Sequence, residues 1–256
     1  MSDSKSDTET IEDLPRVGGA KGMRFACHPQ VPCFNACCRD LDLVLYPYDL
    51  LVLRSALGQS STEFLERHGR PGELGDTGFP IVRLAMDEGP ERPCPFVGPE
   101  GCSVYESRPA ACRAYPIARG AGLDQAGQLC VQFRLMREDH CDGFEERKGW
   151  TIREWLADQG MAEYTAMDDR YVRLVGRHLA ERGPLPEERK LLVALALYQV
   201  DRLPEVWERQ KVLEALALSP EREATILNDD QARLAFAYDW LQLVLLDDDS
   251  ALRDGE

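Results

Sequence analysis

The chain has 256 residues, 44% of them hydrophobic, enough for one large domain or two small ones with a proper core. Its net charge of −15 and isoelectric point near 4.8 repel nucleic-acid phosphates and anionic lipid surfaces, so neither a nucleic-acid partner nor a membrane is expected. No run of 18 apolar residues offers a transmembrane helix, and residues 1–20 lack the apolar core of a signal peptide, so a cytoplasmic location is expected.

Residues 1–20 are rich in Ser, Asp, Thr and Glu and read as a disordered tail. A loop broken by Pro29 and Pro32 follows, then an alternating apolar set at Leu41, Leu43 and Leu45 that predicts a short strand. Pro47 opens a helix from Tyr48 to Leu57, stopped by Gly58. Ser60 and Glu63 form a capping box for a second helix ending near His68 and Gly69. A Gly/Pro-rich loop is expected over 69–80 and a strand over Ile81–Met86. Cys94 and Cys102 flank a Gly98-Pro99-Glu100-Gly101 turn, which predicts a knuckle. Arg108-Pro109 starts a short helix carrying Cys112, ended by Pro116. Ile117, Val131, Phe133 and Leu135 are placed on further strands.

From Trp150 the texture changes. Thr151 and Glu154 form another capping box, and helices are expected over 162–181, 187–200, 204–217, 220–228 and 231–246. The last is apolar enough to be core. Asp247-Asp248-Asp249 reads as a solvated tail. The fold class is therefore α+β, mostly α: a small cysteine-rich metal-binding module with short strands, followed by an all-helical C-terminal part. The expected segments are a tail (1–20), the module (21–148), the helical region (149–247) and an acidic tail (248–256). The module and the helical region are either two domains or one merged core.

Nine cysteines are the most informative feature. They fall into blocks: Cys27, Cys33, Cys37 and Cys38; Cys94, Cys102 and Cys112; then Cys130 and Cys141. Close thiols in a reducing compartment are more often metal ligands or redox groups than disulfides, and an odd count leaves one unpaired in any disulfide scheme. A tetrahedral zinc ion takes about four such ligands, as does a 2Fe-2S or 4Fe-4S cluster. Eight would serve two mononuclear sites, two clusters or one multinuclear centre. Cys37 and Cys38 are adjacent, and neighbouring side chains diverge, so the pair suits neighbouring metal ions better than one ion, or one is a ligand and the other a bystander. Cys112 falls in the first turn of its helix, where free amides would stabilise a thiolate. Arg108 and Arg113 either donate to the thiolates or make ordinary surface ion pairs. Cys130, beside Val131 and Phe133, reads as a packed core thiol. His28 and His140 each adjoin a cysteine but read as bystanders, and His68 and His178 as structural. Tyr46, Tyr48, Tyr105 and Tyr115 read as core residues.

The motifs Cys33-x3-Cys37-Cys38-Arg39-Asp40, Pro47-Tyr48-Asp49, Cys94-Pro95-Phe96, Gly101-Cys102-Ser103-Val104-Tyr105, Arg108-Pro109-x2-Cys112-Arg113-x-Tyr115-Pro116 and Cys141-x-Gly143 appear in this order over residues 25–145. Together they resemble the YkgJ-type cysteine-cluster family of zinc- or iron-chelating proteins. The resemblance implies a metal-ligand set of Cys27, Cys33, Cys37, Cys38, Cys94, Cys102, Cys112 and Cys141, with Cys130 outside it. The spacing of Cys27 from Cys33 is wider than the family pattern. A related module occurs in flagellin lysine N-methylases, which implies that iron–sulfur-dependent methyl transfer is possible on such a scaffold.

The expected function is therefore a metal-binding protein, foremost with an iron–sulfur cluster in a redox or enzymatic role. The alternative cofactor is zinc or mononuclear iron, zinc serving a structural or partner-binding module. The third reading is an S-adenosylmethionine-dependent methylase, for which the only nucleotide-loop signal is Gly120-Ala121-Gly122. A protein or small-molecule partner is expected without its identity being legible. No Ser-His-Asp set, P-loop or His-Glu-x-x-His is present, and no carboxylate stands out as a catalyst.

Overall fold

The computed structural model describes residues 14–253. Two short strands come first, β1 (Arg16–Val17) and β2 (Gly22–Arg24), then the cysteine loop and β3 (Val44–Leu45). Helices α1 (Pro47–Ala56) and α2 (Ser61–His68) lead into β4 (Gly69–Glu73) and β5 (Pro80–Leu84). The hairpin β6 (Val97–Gly98) and β7 (Gly101–Cys102), helix α3 (Ala110–Ala114) and the long hairpin β8 (Ile117–Leu123) and β9 (Leu129–Leu135) follow. Strand β10 (Gly149–Thr151) hands over to α4 (Ile152–Asp158) and α5 (Met161–Arg182). The remaining helices are α6 (Glu187–Tyr198), α7 (Leu203–Gln210), α8 (Val212–Ala215), α9 (Pro220–Asn228), α10 (Asp230–Leu246) and α11 (Ser250–Arg253). The class is α+β, mostly α, with the strands in the N-terminal half.

Four small sheets replace one large one: β1-β9-β8, β10-β2, β3-β5-β4 and β6-β7. All pairings are antiparallel. The expected loop over 69–80 contains β4, which pairs with β5 from Gly69↔Leu84 to Glu73↔Pro80. Its Gly and Pro residues hide the strand from any periodicity argument, because pairing, not side-chain alternation, makes it. Residues 14–20, read as tail, contain β1, which pairs with β9 at Arg16↔Arg134 and Val17↔Phe133. Residues 1–13 of that tail and residues 254–256 of the acidic one lie outside the described residues. The helix expected over 204–217 is broken at Lys211, whose φ of 53° is left-handed and separates α7 from α8.

Two apolar cores hold these elements. The larger runs from Leu43 and Leu45 through Leu50 and Leu53 of α1, Phe64, Phe79 and Val82, then Tyr171 and Leu174 of α5, Val193 and Leu197 of α6, and Leu234, Ala237 and Leu241 of α10. Each fully buried Leu contributes about 1.5–3 kcal/mol relative to exposure. This core includes residues from both sides of Trp150, so the change of texture there marks no break in packing. The smaller core gathers Val17, Met23, Phe25, Ile117, Ile152 and Trp155, with Phe25 edge-on to Tyr115, Phe144 and Trp155.

The acidic run after α10 is not a free tail. Asp247 pairs with Arg182 at 3.0 Å and Asp248 with Arg177 at 2.8 Å, tethering the end of α10 to the end of α5.

Candidate metal centre

The cysteine loop is shaped by its neighbours. After β2, Phe25 N–H donates to Lys148 O and Ala26 N–H to Gly143 O, both at 3.0 Å. This brings Cys27 beside the turn that carries Cys141. Gly143 must be glycine there. A Cβ would stand 2.8 Å from the Ala26 carbonyl oxygen and 2.8 Å from the Phe25 ring. The chain then folds through tight turns, with Asn35 left-handed at φ 69° and its amide donating to Gly98 O at 3.2 Å. Asn tolerates that conformation better than most residues.

Cys33 receives the Asp142 N–H at 3.1 Å. Burial leads the upward shift of the Cys141 thiol, with Tyr115 and Gly143 opposing it and Cys33 adding to it. Cys27 has Cys37, Cys33 and Cys141 as its thiol neighbours. Burial first, then those thiolates, push Cys27 up to about 11, with Arg108 offsetting part of it. Cys27 and Cys112 both remain reachable by solvent.

A second neighbourhood forms on the other side of the Cys37–Cys38 peptide. Cys94 N–H donates to Cys38 O at 2.9 Å. The knuckle is present: Cys102 lies opposite Val97 in the β6–β7 hairpin, and the Val97 N–H donates to the Cys94 carbonyl at 3.1 Å. Gly101 turns this hairpin at φ 115°, with Phe34 3.2 Å from where a Cβ would sit. Cys112 of α3 has Cys94, Asp49, Cys102 and Cys37 around it. Cys112 lies in the first turn of α3, as expected, and burial, then Cys94, Asp49, Cys102 and Cys37, push its thiol up to about 12.

The two neighbourhoods meet at Cys37 and Cys38. Cys37 and Cys38 act on each other: Cys38 lowers Cys37 to about 7, and Cys37, then burial, raises Cys38. Among the described residues, no three Cys, His, Asp or Glu side chains converge tightly enough in this conformation to hold an ion.

Cys130 is not a core thiol. It is exposed on β9, opposite Gly122, with Asp124 as its partner at 3.9 Å. Its side of β9 lies beyond the small core, and Val131 is exposed with it. Gly120 and Gly122 pair within the same hairpin, far from any strand-to-helix turn that could cradle a phosphate. His28 bonds Gln30 at 2.9 Å and faces Glu146 at 3.5 Å, and His140 faces Glu138. His178 is buried and bonds Gly183 O at 3.0 Å. Tyr105 is exposed, not core.

Among the described residues, Arg108 and Arg113 make neither surface ion pairs nor bonds to the thiolates. Arg108 stacks 3.9 Å over Tyr105 and bonds Tyr105 O and the Gln159 side chain. Arg113 ties the carbonyls of Arg108, Glu106 and Gln159 together. Both pin the segment before α3 to the end of α4.

Two residues received no role from the sequence. Asp49, 1% exposed, accepts Tyr46 N–H at 2.9 Å and Ala110 N–H at 2.7 Å, so one carboxylate joins the starts of α1 and α3. Its place three residues past Tyr46 at a helix start was the available signal. Tyr115 donates its hydroxyl to Glu138 at 2.8 Å, and Cys141 helps push that hydroxyl's pKa up. Nothing in the sequence relates those positions.

The family model for CxxCxxCC, a "putative zinc- or iron-chelating domain", matches residues 26–162, more than half of the chain. The chain belongs to the CxxCxxCC family. The matched span begins one residue before Cys27 and contains all nine cysteines, both neighbourhoods and α4. No curated protein and no solved structure matches the chain. Among the described residues no helix is long and apolar enough to cross a membrane.

Proposed function

We propose that Cys27, Cys33, Cys37, Cys38, Cys94, Cys102, Cys112 and Cys141 bind a thiophilic metal, foremost as iron–sulfur, and that the protein uses it in a redox or enzymatic role. The observation that carries this reading is the gathering of these eight thiols around the Cys37–Cys38 peptide, while the ninth stands apart. The donor set fits in chemistry: soft thiolates select zinc, iron or iron–sulfur over hard cations. The Asp142 amide already donates to the Cys33 sulfur. Such outer bonds orient metal ligands and tune a centre's potential. The side chains would have to draw together on loading.

Zinc in a structural or partner-binding role is the second reading, favoured by the knuckle at Cys94 and Cys102. Metal and acid-labile sulfide content, with a visible spectrum, on protein purified without air decides between the two. Iron with matching sulfide and absorbance near ~400 nm supports the first. Stoichiometric zinc without sulfide or colour refutes it and supports the second. A protein that holds no metal, even after loading with zinc or with iron and sulfide, refutes both.

A further inference from the structure

We infer that the eight cysteines form two separate metal centres of four thiolates each, one of Cys27, Cys33, Cys37 and Cys141 and the other of Cys38, Cys94, Cys102 and Cys112, adjoining at the Cys37–Cys38 peptide. This rests on the metal-binding reading above and adds its number and partition.

Three features of the structure support the division. Each group has its own backbone frame. The first is tied by Ala26 to Gly143 and by Asp142 to Cys33, and the second by Cys94 to Cys38 and by the β6–β7 hairpin. Each group also rests on a different core. Cys141 packs against the small core around Phe25, and Cys94 and Cys102 pack against the large one. Finally, the Asp142 amide donates to a sulfur of the first group, that of Cys33, whereas the Val97 amide of the second donates to the Cys94 carbonyl. The thiol neighbours of Cys27 all lie in the first group, and those of Cys94 in the second. Cys37 lies near both, and it completes four ligands only in the first. Four thiolates fill a tetrahedral ion or anchor one cluster. The chain therefore carries two complete sets.

The partition is tested on full-length protein purified without air, by comparing metal content of the wild type with Cys141→Ser, Cys102→Ser and Cys130→Ser. The expected result is about half the metal in each of the first two, none in their double variant, and the full amount in Cys130→Ser. Complete loss in either single variant means one shared multinuclear centre and overturns the partition. Full retention in both means that neither residue is a ligand and overturns it too. Wild-type protein needs no variant to fold for the second measurement. It is stripped in steps with a chelator, alkylated with N-ethylmaleimide at each step and mapped by mass spectrometry. Cysteines should lose protection in two sets of four with the membership given above. Loss of all eight together, or in other sets, overturns the inference while leaving metal binding intact. A wild type that takes up no metal sinks the metal-binding reading itself.

Discussion

Replacing Asp49 by alanine tests how the second group of cysteines is positioned. The carboxylate is buried and accepts two amides, Tyr46 N–H at 2.9 Å and Ala110 N–H at 2.7 Å. Removing it leaves two donors inside the protein with no partner, each costing about 1–3 kcal/mol. The gross loss is about 2–6 kcal/mol. Relief of burying the carboxylate, whose pKa burial pushes up to about 6, brings the expectation to the lower half of that range, about 2–4 kcal/mol. For a chain of this size, 1 kcal/mol is about 2–4 °C in melting temperature, so Asp49→Ala should melt roughly 5–15 °C lower. Because Ala110 begins the helix that carries Cys112, the same change should speed N-ethylmaleimide labelling of Cys112 relative to Cys130. Labelling is followed by peptide mass spectrometry well below the melting temperature. A variant within 1 kcal/mol of the wild type with unchanged Cys112 labelling would refute the clamp.

The Asp168 side chain is buried, its Oδ1 has no hydrogen-bond partner among the described residues, and burial, then Asp49, push it up to about 8 against partial relief from Arg119. Its folded pKa lies above the unfolded value. The fold therefore holds an extra proton between about pH 4 and 8, and this contribution is lost as pH rises through 8. Asp168→Asn should remove that slope, so its urea-unfolding stability relative to wild type should rise from pH 5 to 9; parallel curves would count against the assignment. Gly143→Ala forces a Cβ against the Ala26 carbonyl and the Phe25 ring and should cost about 1–3 kcal/mol, in the range of overpacked sites, read by denaturant titration; a neutral result would mean that the turn yields freely. Tyr115→Phe removes the hydroxyl that donates to Glu138 and holds the Cys141 thiol down. On metal-loaded protein it should shift the thiolate-to-metal absorption or the reduction potential with little change in metal content, and identical spectra and potential would remove Tyr115 from the site's surroundings.

Much of the local structure was legible because it rests on local chemistry. Pro47, the Ser60 and Thr151 capping boxes and the Ser219-Pro220 start satisfy orphan amides within one turn, and the corresponding helices begin there. The β6–β7 knuckle follows likewise from its turn residues. Strands were harder. β1 and β4 exist because distant segments supply their hydrogen-bond partners, and their own side chains give no alternating signal.

The sequence by itself determined the family motifs, the α+β class and the separation of Cys130 from the other eight thiols. Those features depend on residue type and short spacing. Only the tertiary structure decided that a single core passes across Trp150, that Cys130 is exposed and that Asp49 joins α1 to α3. It also decided which thiols are neighbours. Cys141 reaches Cys33 across more than a hundred residues because β2 pairs with β10 and Ala26 is bonded to Gly143. Such contacts are set by which surfaces bury one another, and that is a property of the whole fold, not of any short stretch of chain.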